Sequence, residues 1–432
     1  MGIASPSRRS FLSAASAGAL VAATGPLLGA CGNDGGSGAG GKVTLEFWNI
    51  ATTEPQKTQY PKVVQAFQAA NPNVTVRMTA LENEAYKAKM TAQTTSGKLP
   101  DIFVSWGGGV LKQQVEAGLV EDLTRRAADL SATLNPLSME AYRFDGRLYG
   151  IPYDMGMVGF WYNKRLFAKA GVKQPPATWS AFLDAVRRLK AAGITPIALA
   201  GKEKWPGHYY WSYLAMRIGG GAVFEQAETS RDFSAPVFVD AGRRLKELAD
   251  LQPFQQGYQG AGYPTPGGQA ALMGTGRAAM ELMGQWAPSV QEDAGGDLGA
   301  DLGFFPFPTV EGGKGTLTEV FGGGNGHALR KGAPKEAMDF LRFFLNAENE
   351  RMFVSSGAFM PVVKGAESAI TDPNRKQVAQ AMTGATGFQL FLDQAFAPAV
   401  GQQVNDSVAE LIAGRATPEQ VTRSITQAAR TQ

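Results

Sequence analysis

From residue 42 onward, two hydrophobic periods alternate along the chain. Val43 to Trp48 alternates apolar and polar positions as a strand does. Pro55 to Ala70 sets Tyr60, Val63, Val64 and Phe67 on one helical face and stops at Asn71-Pro72-Asn73. Val74 to Met78 predicts the next strand, Ala85 to Ser96 a helix, and Asp101 to Trp106 a third strand ending in Gly107-Gly108-Gly109. Such repetition predicts a parallel sheet covered by helices. Asp145-Gly146 marks a tight hairpin turn. After Ile151-Pro152-Tyr153-Asp154 the alternation restarts, with a strand over Val158 to Asn163, a helix over Trp179 to Ala192 and a strand over Thr195 to Leu199. This restart predicts a second lobe. Further helices are expected over Tyr209 to Arg217, Val237 to Asp250, Pro334 to Leu345, Gly401 to Ala413 and Pro418 to Arg430, and a strand over Ala278 to Met283. The Gly- and Pro-dense stretch Gly303 to Gly326 reads as a return crossing.

The first forty-one residues stand outside this pattern. Arg8 and Arg9 precede a mildly apolar stretch, Phe11 to Ala30, which resembles a twin-arginine export signal. Leu28-Gly29-Ala30-Cys31 resembles a bacterial lipobox, in which the Cys31 thiol takes up diacylglycerol. Gly32 to Gly41 is a Gly/Ser-rich tether without packing potential. Serine, threonine, proline and glycine dilute Phe11 to Ala30 too far for a membrane span, and no later apolar run of about eighteen residues follows. The expectation is a protein held by lipid alone.

Composition narrows the chemistry. The 432 residues are 44% hydrophobic and 18% charged, as in ordinary globular chains, and allow two or three domains. With 41 basic and 38 acidic side chains the net charge is +3; without Arg8 and Arg9, 39 basic residues remain and it is +1. That is no footprint for nucleic acid and suits an uncharged ligand. One cysteine and two histidines, His208 and His327, are too few for a disulfide framework or a zinc site.

Open α/β sheets bind ligands outside the carboxyl ends of their strands, where Trp48-Asn49 and Trp106-Gly107 fall. An indole offers a flat face for the C–H side of a sugar ring, and polar groups at the strand end can serve its hydroxyls. Core packing is the other use of either ring. Lys202 to Trp211 is the densest aromatic-polar cluster. Tyr210 and Trp211 read as the inner face of a helix, whereas Lys204, Trp205 and His208, in the loop or first turn, are the ligand candidates. Met283 to Pro288 again presents a tryptophan, Trp286, after a strand. Phe321 to Gly326 lacks the Lys-Ser/Thr of a phosphate loop, so its glycines point to close approach to a ligand or a flexible crossing. Asp154 with Glu82 or Glu84 could be paired as glycosidase carboxylates, but no nucleophile elbow or zinc-protease helix is present. No catalytic residue, metal or cofactor is assigned.

The lipobox, Phe47-Trp48-Asn49, Leu99-Pro100-Asp101-Ile102, Tyr149 to Tyr153, Trp161 to Lys164, Leu282 to Pro288, Ala413-Gly414 and Thr417-Pro418-Glu419 follow in an order that resembles extracellular solute-binding protein family 1 over essentially the whole chain. These are the lipoprotein receptors of carbohydrate ABC importers. Ser105 to Gly109, Gly201 to Tyr213 and Met283 to Pro288 are similar to the xylobiose and xylo-oligosaccharide receptors of actinobacterial importers. The resemblance implies a type II periplasmic-binding-protein fold, two α/β lobes with a hinge and an interlobe ligand cleft. It implies a signal peptide over 1–30, a tether over 31–41, an N-lobe of 42–154 plus 323–361 and a C-lobe of 155–322 plus 362–432. By motif position, Trp48, Asn49, Glu82, Asn83, Trp106, Gly107, Asp154, Lys204, Trp205, His208, Trp286, Gly323, Gly324 and Asn325 line the cleft. Asp154 has two readings, hydroxyl acceptor or cap of a hinge turn. Gly156 stands where some relatives carry a ligand-binding acid. The implied protein is a monomeric, non-enzymatic receptor on the outer face of the cytoplasmic membrane, delivering a neutral oligosaccharide to permease subunits. Cello-, malto- or chito-oligosaccharides are alternative ligands, and a lipid-anchored glycoside hydrolase is the alternative activity.

Overall fold

The computed structural model describes residues 41–431, so Arg8, Arg9 and Cys31 lie outside the described residues. Twelve strands follow in chain order. They are β1 (Val43–Asn49), β2 (Val74–Ala80), β3 (Ile102–Ser105), β4 (Arg143–Phe144), β5 (Arg147–Leu148) and β6 (Ile151–Met157), then β7 (Gly159–Asn163), β8 (Thr195–Ile197), β9 (Ala278–Met283), β10 (Leu302–Phe305), β11 (Glu319–Leu329) and β12 (Gly387–Leu390). The strands and helices read from periodicity are present, with ends shifted by a few residues. Between β1 and β2 the helix Gln56–Ala70 buries Tyr60, Val63, Val64 and Phe67, the stripe its spacing dictates. At the β4–β5 turn Asp145 and Gly146 both have positive φ, 50° and 75°, as a two-residue hairpin with right-handed strand twist requires.

Two sheets result. One joins β2, β1, β3 and β11, with β6 and β12 also on β11; the other has the order β10-β7-β9-β8. Neither is purely parallel, contrary to the expectation from the alternation. β1 runs parallel to β2 and β3, but β11 is antiparallel to β3 and β6, and β7 is antiparallel to β9 and β10. Chain alternation predicts local βαβ units; it carries no information about strands that return from two hundred residues away.

β11 is the larger correction. Phe321 to Gly326, expected as a close approach to a ligand or a flexible crossing, lies inside an eleven-residue strand. Its glycines serve close backbone approach: a Cβ on Gly324 would fall 2.1 Å from the Asp154 carbonyl oxygen, and one on Gly326 would strike the Tyr142 ring. The strand β11 pairs with β12 at its beginning, with β6 along its middle and with β3 at its end.

Buried apolar side chains form two large cores. Leu45 through Tyr153 packs with Ala328 through Val362, and Met157 through Phe321 packs with Ile370 through Ala429, joined by Val354 and Met360. The chain therefore passes between cores along β6, along β11 and again between Phe353 and Ile370. The helix Trp205–Gly219 runs through the second core, buried on all sides over its first thirteen residues. It begins four residues before the expected Tyr209 and so takes Trp205 and His208 into its first turns. Among the described residues no helix is long and apolar enough to cross a membrane.

Candidate functional site

A cavity of about 170 Å³ lies between the two cores, and six of its lining residues, Glu82, Lys87, Trp106, Pro264, Asp393 and Gln394, also line an outer space of about 960 Å³. Trp205, Tyr209, Tyr263, Trp286 and Phe391 supply aromatic surface to the inner cavity. Trp205 is set by a strained turn: Lys204 has φ 66° and ψ −36°, and the Trp205 amide donates to the Glu203 carbonyl at 2.8 Å. One helical turn on, Tyr209 shares its face, and the rings are 5.6 Å apart. Tyr263 meets the Trp205 ring edge to face at 5.7 Å, and Phe391 stacks on Tyr209 at 5.1 Å. Trp286 stands before the helix Ala287–Asp293, with its indole folded back over the Cβ position that Gly284 leaves empty. At the mouth Trp106 follows β3, meets Tyr86 edge to face at 5.7 Å and lies 5.8 Å beneath the Lys87 ammonium.

Polar groups come from both cores. Glu82 caps the helix Asn83–Ser96 by accepting from the Glu84 amide, and Asn83 donates to the Glu84 carboxylate; both line the inner cavity. Asp154 lies on β6, 3% exposed, and accepts from the Met360 amide at 2.7 Å, Gln285 Nε2 at 2.9 Å and Asn325 Nδ2 at 3.1 Å. Burial pushes its carboxyl up to about 6, and those donors and Arg375 oppose the rise. Asp154 thus lines the cavity and also fastens β6 to β11 and to the crossing at Met360. Among the described residues the Trp205 indole N–H and the Gln394 side-chain carbonyl are buried without partners, so the site keeps a free donor and a free acceptor.

Of the residues read from sequence, Glu82, Asn83, Trp106, Asp154, Trp205, Trp286, Gly324 and Asn325 line the inner cavity. Lys204 faces the outer space, with its ammonium 2.7 Å from Asp406. The other five line none of these spaces. Trp48 lies under the Lys89 ammonium at 4.0 Å, and Asn49 is wholly buried, accepting from the Ala51 amide. Gly107 makes the turn into the helix Gly108–Glu116, at φ 72° and with its Cβ position against the Ala141 carbonyl; the Cβ position of Gly323 is filled by Phe391. His208 is wholly buried and packed against Tyr209 and Phe321, and burial lowers it to about 4, leaving a neutral ring at pH 7. Sequence reading missed Lys87, Tyr209, Tyr263, Phe391, Asp393 and Gln394. Tyr209 lies within the aromatic-polar cluster Lys202 to Trp211; the other five carried no local signal.

Against known proteins, residues 51–351 match the family described as bacterial extracellular solute-binding protein. The chain is 27% identical over 369 residues to the multiple sugar-binding protein of Streptococcus mutans, covering 82% of this chain and 83% of that one. A structure from work on xylan utilization by the thermophilic bacterium Caldanaerobius polysaccharolyticus is similar at 31% identity and a TM-score of 0.83, covering 89% of this chain and 99% of that one. A chitin oligosaccharide binding protein is similar at 27% identity and a TM-score of 0.83, over 90% and 98%.

Proposed function

Because the chain belongs to the bacterial extracellular solute-binding protein family, we propose that it is the receptor of a carbohydrate ABC importer, capturing a neutral oligosaccharide by lobe closure. Its two α/β lobes, hinge and interlobe cleft are those of the type II periplasmic-binding-protein architecture. The observation that carries the reading is the inner cavity, walled by six aromatic residues, edged by polar groups from both cores and carrying a free indole N–H. At about 170 Å³ it holds roughly six water volumes, the scale of one sugar ring. Further rings extend into the outer space. Xylobiose or a longer xylo-oligosaccharide is the proposed ligand, supported by the loop resemblance and by the likeness to the xylan-utilization structure. The proposed lobes are 42–154 plus 323–361 and 155–322 plus 362–432. The sugar touches both only when they close, so its differential affinity shifts the population toward the form that docks on the permease.

A thermal-shift panel tests this. Ligand at a hundred times its Kd stabilises by about 2.7 kcal/mol, a rise of several degrees. Xylobiose and xylotriose are expected to raise Tm, and cellobiose, maltotriose and chitobiose to leave it unchanged. A rise with chitobiose alone overturns the xylo-oligosaccharide assignment; no rise with any neutral oligosaccharide overturns the receptor reading.

The proposed protein binds and releases sugar without hydrolysing it, works as a monomer and stands on the outer face of the cytoplasmic membrane. Residues 1–30 are the proposed twin-arginine signal with Arg8 and Arg9, Cys31 the lipid attachment point and 31–41 the tether. Cys31→Ser is expected to move the exported protein from the membrane fraction to the medium. A Cys31→Ser protein that stays with the membrane contradicts the anchor.

A further inference from the structure

Eighteen ion pairs join the described side chains, and a single one connects the two cores. It is Lys87 with Asp393, at 3.5 Å. Lys87 lies on the helix Asn83–Ser96, which buries Tyr86 and Met90 in the first core. Asp393 lies on the helix Leu392–Ala395, which buries Leu392 in the second. Both residues line the inner cavity and the outer space, so the pair stands where the two spaces meet.

Each partner is held for this contact. Glu84, one turn before Lys87, lies 3.4 Å from the same ammonium, and Asn405 donates to the Asp393 carboxylate at 3.3 Å. The Asp393 side chain is 9% exposed and that of Lys87 30%, so the attraction is screened far less than between open surface charges. Burial alone would raise the Asp393 carboxyl; Lys87 brings it below the ordinary value. Beside the pair the two lobes touch through bare backbone. A Cβ on Gly108 would lie 2.4 Å from the Gln394 carbonyl oxygen, and one on Gly109 2.4 Å from the Phe396 carbonyl carbon. The Gly107-Gly108-Gly109 turn therefore lets the helix Gly108–Glu116 close against residues 394–397 next to the charges.

We propose that Lys87 and Asp393 form an interlobe latch that stabilises the closed form before any ligand contact, making them positioning residues for sugar binding. The proposal rests on the receptor reading only in its effect on affinity. The pair acts on the population of the closed form, and apparent affinity scales with that population. A neutral ligand thereby depends on a charge pair it need not touch.

The test uses the full chain in a Cys31→Ser background, with fluorophores on Ala66→Cys and Arg423→Cys, exposed positions of the two lobes. Energy transfer reports the interlobe distance without ligand, and calorimetry reports xylobiose affinity. Lys87→Met and Asp393→Asn are each expected to lengthen the ligand-free distance and weaken binding about fivefold. The double variant is expected to be no worse than the weaker single, and Lys87→Arg to keep both the distance and the affinity. An unchanged ligand-free distance in both single variants overturns the latch, as do penalties that add in the double variant, the signature of two separate sugar contacts. Should Asp393→Asn fail to fold, Lys87→Met, on the more exposed partner, decides alone. If no neutral sugar binds, the distance still decides the latch, and the receptor reading falls by itself.

Discussion

Trp205→Ala is expected to weaken sugar binding by about 2 kcal/mol or more, roughly thirtyfold, with Trp286→Ala in the same range. Trp205 is 8% exposed and packed between Tyr209 and Tyr263, so a sugar face against it is fully desolvated. Its free indole N–H adds a directional donor that alanine removes. Truncating so buried a ring also costs stability, on the order of 3–5 kcal/mol for an aromatic in a core. Calorimetry must therefore be paired with thermal unfolding, and Trp205→Phe, which keeps a stacking face and loses the donor, separates the two contributions. Trp286 is half-buried, so Trp286→Ala lowers affinity with a smaller loss of stability. Affinity unchanged in both alanine variants would remove these rings from the site.

The second large effect belongs to Asp154. Asp154→Ala strands the Met360 amide, Gln285 and Asn325, and is expected to lower unfolding free energy by about 3 kcal/mol or more. Of the three donors only Asn325 lines the cavity and can turn toward it; Gln285 and the backbone amide of Met360 stay buried. Asp154→Asn gives a pH signature. The folded-state pKa, about 6, lies above the ordinary value of 3.8, so the native state binds more protons between those limits. Stability from this group is full below about pH 4 and is lost as pH rises through 6, by an amount on the order of 3 kcal/mol. Unfolding titrations should show wild type losing stability relative to Asp154→Asn across that window. A constant difference between pH 4 and pH 7 would mean that the carboxyl is not held in a buried, donor-lined site. A charged carboxylate at the crossing point of β6, β11 and the Met360 segment thus costs stability near neutrality while tying the hinge together.

Legibility differed by the range of the physics involved. The stripe Tyr60, Val63, Val64 and Phe67 was readable because helical burial is periodic along the chain, and Asp145-Gly146 because only certain residues accept positive φ cheaply. Trp205, Trp286 and Asp154 drew notice because large rings and acids at element ends are locally conspicuous. His208, equally conspicuous, is packed out of reach once the helix begins at Trp205, and Trp48 meets Lys89 instead of a cavity. Tyr263 and Phe391 looked ordinary because their role comes from Trp205 and Tyr209, distant in the chain.

The sequence alone determined where the strongly periodic strands and helices form, that metal and disulfide chemistry is undersupplied, and that the first forty-one residues follow another pattern. Each of these depends on neighbours a few positions apart or on composition. Tertiary structure alone decided that the glycine run is a strand and that Asp154, Gln285, Asn325 and Met360 converge on one carboxylate. It also decided that Lys87 reaches Asp393 across the cleft. Those contacts join residues 131 to 306 positions apart, and no local period encodes them, because they arise only when two cores pack against strands that the chain shares between them.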